Sequence, residues 1–203
     1  MRSIFSFIVK PIGNRYNNTK DIGNKKLVIN TSIESFKHVN NIAEVVETPL
    51  FFESNIKKGD LVVIHHNVFR VFYDIRGNKK NSRSYLFNDL FICDLEQIYL
   101  YKNNGVWKTV GNRCFIKPIK ENSDLNIDKE QKLIGILKYG NSSLEELGVN
   151  EGDVVGYKPY GEFDFIIDEE RMYCMQTSDI VLKYDSSDDY LEYNPNWVCN
   201  NKN

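Results

Sequence analysis

Long apolar runs are missing from this sequence. No stretch of its 203 residues approaches the roughly 20 apolar positions that a membrane-spanning helix needs. An excess of one charge is missing too. Twenty-six Lys and Arg face 28 Asp and Glu, a formal net charge of −2. No bulk field therefore favours nucleic acid or an anionic membrane. Cysteine is scarce. Cys93, Cys114, Cys174 and Cys199 form no C-x-x-C pair, and their spacing suggests neither a zinc site nor a disulfide scaffold. Reduced thiols in a cytoplasmic protein are expected. Histidine is limited to His38, His65 and His66. Neighbouring residues on a strand face opposite ways, so His65 and His66 are not expected to share a metal. No G-x-G-x-x-G follows a strand, no P-loop is present, and no nucleophile has a legible partnered base. Neither catalysis nor a cofactor is expected. The apolar start, Ile4-Phe5-Ser6-Phe7-Ile8-Val9, is cut short by Lys10-Pro11 without a small-residue cleavage site, which argues against a signal peptide.

Aromatic residues are plentiful, with 12 Tyr and 12 Phe, and they suit pleated, half-buried surfaces. A repeat is also present. Ile8-Val9-Lys10-Pro11-Ile12 recurs as Phe115-Ile116-Lys117-Pro118-Ile119, an offset of 107. Lys57-Lys58-Gly59-Asp60-Leu61-Val62-Val63 recurs as Asn150-Glu151-Gly152-Asp153-Val154-Val155-Gly156, an offset of 93. Phe91-Ile92-Cys93 and the residues to Ile98 recur as Tyr173-Cys174-Met175 and the residues to Ile180, an offset of 82. The order holds while the offset shrinks. The first copy thus carries 14 extra residues before its Gly-Asp turn and 11 more after it. Insertions of this kind belong in surface loops.

Each copy reads as short strands. Residues 4–12 and 113–119 are first strands; residues 41–47 and 132–139 are seconds. Residues 61–65 and 154–157 follow the Gly-Asp turn, where glycine tolerates positive φ. In the first copy, residues 68–75 are expected to pair with 84–93 across the polar tip 76–83. In the second, 163–167 pair with 172–175 across 168–171. Residues 95–101 and 180–184 close the copies. The expected fold is all-β, two small tandem barrels, since closure removes exposed edges. The expected domains are 1–102 and 103–184, with a linker at 102–106 and a mobile polar tail at 185–203.

Some residues resemble a known family. The stretch Leu147-Gly148-Val149-Asn150-Glu151-Gly152-Asp153-Val154-Val155-Gly156-Tyr157 resembles the Gly-Asp segment of GroES-type co-chaperonins. Residues 167–181, with Thr177-Ser178-Asp179-Ile180-Val181, resemble the family's closing hairpin and final strand. The stretches Val9-Lys10-Pro11-Ile12 and Ile116-Lys117-Pro118-Ile119 resemble its first strand, and Lys25-Lys26-Leu27-Val28-Ile29-Asn30-Thr31 resembles the end of its mobile loop. The resemblance covers most of residues 4–101 and 113–184. The duplication is similar to plastid tandem co-chaperonins; the short connections are similar to phage-encoded ones, whose place would be the host cytoplasm.

The resemblance implies GroES-like barrels that form a homo-oligomeric ring and cap a chaperonin cage during ATP-dependent protein folding. The partner would be the apical domain of a GroEL-type chaperonin. The loop at about 13–40, rich in Asn, Lys, Ser and Thr, would be mobile, and Leu27, Val28 and Ile29 would enter the apical groove. The short acidic segment 121–131 reads foremost as a barrel connection; as a degenerate loop it would offer Leu125 and Ile127 as a secondary contact. Three buried aliphatic side chains yield roughly 5–8 kcal/mol before the cost of ordering the loop. One loop binds weakly, and several on one ring bind at high effective concentration. The family's rings hold seven barrels. One barrel per chain in a heptamer retains seven equivalent loops.

Blander readings stand beside these. Leu27-Val28-Ile29 is also what a plain buried strand looks like. The basic stretch Arg76, Lys79, Lys80 and Arg83 reads as a solvated tip, with no aromatic platform for nucleic acid. Asp168, Glu169 and Glu170 read as a solvated turn. A GroES-like barrel also occurs in medium-chain alcohol dehydrogenases, but the dinucleotide motif they need is missing. The rival function is a structural assembly or virion protein that keeps the fold without chaperonin binding.

Overall fold

A computed structural model describes residues 3–16, 19–22, 25–28, 39–121, 129–185, 190–195 and 198, with 19–22 and 25–28 as backbone. The chain is predominantly β and divides into two compact units, residues 1–110 and 111–202. One α-helix, a short turn, is described in full, and among the described residues no helix is long and apolar enough to cross a membrane.

The first unit contains β1 (Phe7–Pro11), β2 (Thr19–Ile22), β3 (Lys25–Val28), β4 (Ile42–Glu47) and β5 (Leu61–Ile64). It continues with β6 (Val71–Tyr73), β7 (Lys79–Asn81), β8 (Phe91–Cys93), β9 (Ile98–Asn103) and β10 (Val106–Thr109). Its main sheet runs β10-β9-β5-β4-β1-β8. Phe7, Val9, Ala43, Val45, Val62, Ile64, Phe91 and Ile98 form its core, with Phe69 packed in. The second unit contains β11 (Arg113–Lys120), β12 (Glu130–Tyr139), α1 (Ser142–Glu146), β13 (Val154–Tyr157), β14 (Phe163–Ile167), β15 (Glu170–Gln176) and β16 (Ile180–Lys183). Its sheet runs β14-β15-β11-β12-β13-β16 over Cys114, Ile116, Leu137, Val155, Tyr157 and Tyr173. In both sheets the ladder is linear among the described residues, and the end strands are not joined to one another.

The two sheets share five strands in one order: β8-β1-β4-β5-β9 matches β15-β11-β12-β13-β16. The match extends to single bonds. Val9 faces Val45 as Ile116 faces Leu137, and both ladders slip at the residue before, between Ile8 and Val9 and between Phe115 and Ile116. Both Gly-Asp turns close identically. Gly59 N donates to Val45 O at 2.8 Å, and Gly152 N to Leu137 O at 2.8 Å. The Asp60 carboxylate accepts from Lys57 N at 2.7 Å, and Asp153 from Asn150 N at 2.7 Å. Gly59 and Gly152 stand at φ 88° and 93°, a conformation that side chains rarely adopt, which explains the glycine in both copies. A 3-10 turn precedes each last shared strand, at Leu95–Gln97 and Thr177–Asp179.

Several expectations are corrected. In the first unit β6 pairs not with residues 84–93 but with β7. Asp74 causes this: its carboxylate accepts from Arg76 N and Asn78 N, at 2.9 and 2.8 Å, and turns the chain at once. The stretch 102–106 is no linker. Asn104-Gly105, at φ 50° and 82°, is a two-residue hairpin turn that sends β10 back along β9. The second unit's hairpin also turns on two residues, Asp168 and Glu169 (φ 48° and 67°), so that Ile167 faces Glu170.

The tail is anchored at its described part. Lys120 N donates to Leu191 O and Tyr193 N to Pro118 O, both at 2.8 Å, which extends the sheet along β11. Tyr190 packs against Ile119, Ile134 and Val154. Asn194 accepts from Arg171 N at 3.2 Å and donates to Glu169 O at 3.0 Å. As a result the repeated isoleucine has two fates: Ile119 is fully buried and Ile12 is 42% exposed.

Candidate partner-binding loop

The first unit departs from its chain between β1 and β4, and the departure is stapled at its root. Asn40, 6% exposed, makes the staple. Its amide nitrogen donates to Ile12 O at 2.6 Å and to Asn14 O at 3.0 Å, and its oxygen accepts from Ile42 N at 2.9 Å. Asn40 N donates to Arg15 O at 2.9 Å, and Tyr16 bridges to Val39. Arg15 ties this root to the chain beyond β5. Its guanidinium donates to Phe69 O from Nη2 (2.8 Å) and Nε (3.2 Å), donates to Asn81 at 2.9 Å, and lies 4.8 Å from the Phe91 ring centre. The Tyr16 hydroxyl accepts from Val71 N at 2.6 Å. Both ends of the excursion therefore leave from a fixed platform.

Within the excursion, β2 and β3 form an antiparallel pair. Thr19 faces Val28 and Lys20 faces Leu27. Leu27 and Val28 are thus adjacent positions of β3 in a strand pair, and not part of an unstructured loop. Ile29 lies outside the described residues, as do Leu125 and Ile127. The second unit's matching segment is short: Glu121 N donates to Lys129 O at 2.9 Å and Lys120 faces Glu130, which closes the strands around it.

The remaining candidates have structural explanations. His65 and His66 do not point apart, because the strand ends at Ile64 and a 3-10 turn begins. Their rings stack at 4.3 Å, and His65 Nδ1 accepts from Asn67 N. Burial, then the neighbouring His65 and Arg70, lowers His66 to about 4. Among the described residues no group of three or more His, Cys, Asp or Glu could hold a metal ion. Cys93, Cys114 and Cys174 are buried free thiols. Burial pushes Cys114 and Cys174 up to about 12, so neither is a thiolate at neutral pH. Glu170 is not merely a solvated turn residue. It receives the buried Lys117 ammonium at 2.9 Å, which also binds Glu192 of the tail. Arg171 joins Glu130 (2.8 Å) to Asp164 (2.9 Å), and the Tyr173 hydroxyl donates to Glu130 at 2.7 Å. These groups satisfy one another and hold β12, β14 and β15 together.

The Asn40 staple and the Arg15 clamp were not found in the sequence. An asparagine two residues before a strand carries no signal of its own, and two of the carbonyls it binds lie 26 and 28 residues away. Neither a family model nor a curated protein sequence matches this chain.

Proposed function

We propose that this chain is a co-chaperonin with two tandem GroES-like barrels, which caps the cage of a GroEL-type chaperonin and assists ATP-dependent folding. The observation that carries the reading is the excursion of residues 17–38 between the first two shared strands of one unit, rooted on Asn40 and Arg15. It bears the apolar triplet Leu27-Val28-Ile29 in polar surroundings. A contact carried on an excursion with a fixed root would meet a nearby groove while the barrel stays in place. Half the excursion, about 11 residues, spans at most roughly 35 Å. In the second unit only residues 122–128 separate Glu121 from Lys129, so one such contact per chain follows, and a ring of seven chains multiplies a weak contact into an avid one. A small change in each groove then releases the whole cap.

The test is capture by the cognate chaperonin with and without ATP, for wild type and for Leu27→Ser, Val28→Ser and Ile29→Ser combined. Nucleotide-dependent capture that the triple change removes supports the reading. Capture that survives moves the contact, with Leu125 and Ile127 next to be changed. A wild type that is never captured favours a structural assembly protein of the same fold.

A further inference from the structure

The first unit carries two surface features of opposite charge. One is a cleft of about 360 Å³ lined by Phe5, Phe52, Asp94, Leu95 and Glu96. Its aromatic side continues into an exposed patch. Phe5 meets Phe51 edge to face at 5.1 Å, and Ile4, Phe5, Leu50 and Phe51 are 59%, 62%, 56% and 74% exposed. Phe51 N donates to Ile4 O at 2.8 Å, which fixes the two segments side by side. Asp94 accepts from Ser6 Oγ at 2.6 Å at the rim. Single exposed apolar residues are ordinary; four joined beside an acidic cleft mark an interaction surface.

The other feature is the β6–β7 tip. Ile75 is fully exposed at its apex. Arg76 follows it, and Lys79 and Lys80 stand on β7 opposite Tyr73 and Phe72; all three are exposed, and none makes an ion pair among the described residues. The tip is set in advance: Asp74 N donates to Asn78 O at 3.0 Å, the Asp74 carboxylate accepts two backbone N–H groups, and Gly77 stands at φ 78°. An apolar knob with a basic collar is thus displayed at little ordering cost.

We infer that the Ile75 tip of one chain docks into the Phe5–Phe52–Asp94–Glu96 cleft of a second copy. Knob matches cleft in polarity, and collar matches rim in charge. Within its own unit the tip does not occupy the cleft: Ile75 is fully exposed, and no residue of the hairpin lines the cleft. Two different surfaces meet, so the interface is head-to-tail, the kind that closes rings when the rotation allows. The inference does not depend on chaperonin capture.

The experiment is sedimentation velocity on the full chain at low and high salt. Wild type is expected to self-associate, and less so at high salt. Ile75→Asp, and separately Lys79→Glu with Lys80→Glu, are expected to weaken association at least ~10-fold. Asp94→Lys with Glu96→Lys is expected to do the same alone, and to restore association when mixed with the Lys79→Glu, Lys80→Glu chain. Circular dichroism matching wild type keeps misfolding apart from lost contact, and Arg76→Gln offers a milder second variant. A monomeric wild type, association indifferent to all these changes, or a charge swap without restoration each overturns the inference.

Discussion

Single side chains decide more in this chain than their positions in the sequence suggest. Asn40 is one. Its replacement by alanine removes hydrogen bonds to three part-buried backbone groups, and unfolding in urea is expected to show a loss of about 1–2 kcal/mol. Hydrogen exchange at residues 12–16 should rise with it, because the root of the excursion opens. His66 gives a pH signature. Burial and two neighbours hold it near 4, below the ordinary 6.5. The unfolded chain therefore takes up this proton first, and stability falls as pH drops from about 6.5 to about 4, then levels off. His66→Asn should flatten that part of the stability-against-pH curve, as read from urea midpoints across the interval. Gly135 is a third case. A Cβ there would come within 2.5 Å of Lys117 O, so the close approach of β11 and β12 requires glycine.

At the scale of elements, one repeated strand meets two environments. β1 presents Lys10 to Glu44 at 3.1 Å on a partly exposed surface, while β11 buries Lys117 under the tail. The difference comes from residues 190–194, which lie along β11 and contribute Glu192. Glu192→Ala is expected to destabilise the chain by about 1–2 kcal/mol, because the ammonium keeps only Glu170 nearby. Glu192→Gln should cost less, and thermal unfolding of the pair separates charge from hydrogen bonding. The edge strands differ in the same manner. β9 is covered by β10, while its counterpart β16 has no strand beyond it among the described residues, and Leu182 is 54% exposed where Leu100 is buried.

For the whole molecule, the proposed cap requires a particular count of chains. If one barrel per chain enters a seven-barrel ring, native mass spectrometry should find seven chains. A trimer or tetramer would instead mean that both barrels share one ring, and would reject the heptamer.

The duplication was legible in the sequence because strands with inward-facing residues cannot drift in register without exposing their cores. The offsets 107, 93 and 82 reappear as matching ladder pairs: Val9 with Val45 and Ile116 with Leu137, Val62 with Tyr101 and Val155 with Lys183. The Gly-Asp turns were legible because glycine at positive φ leaves a local mark. The β6–β7 hairpin was misplaced, since Asp74 competes with the longer polar tip and wins by capping backbone donors close to it. The sequence alone thus determined a duplicated β-rich unit and the place of its longest insertion, because both rest on local patterning repeated in order. Tertiary structure alone decided what holds that insertion and what covers each edge, because Asn40, Arg15 and Glu192 act on partners brought close only by folding.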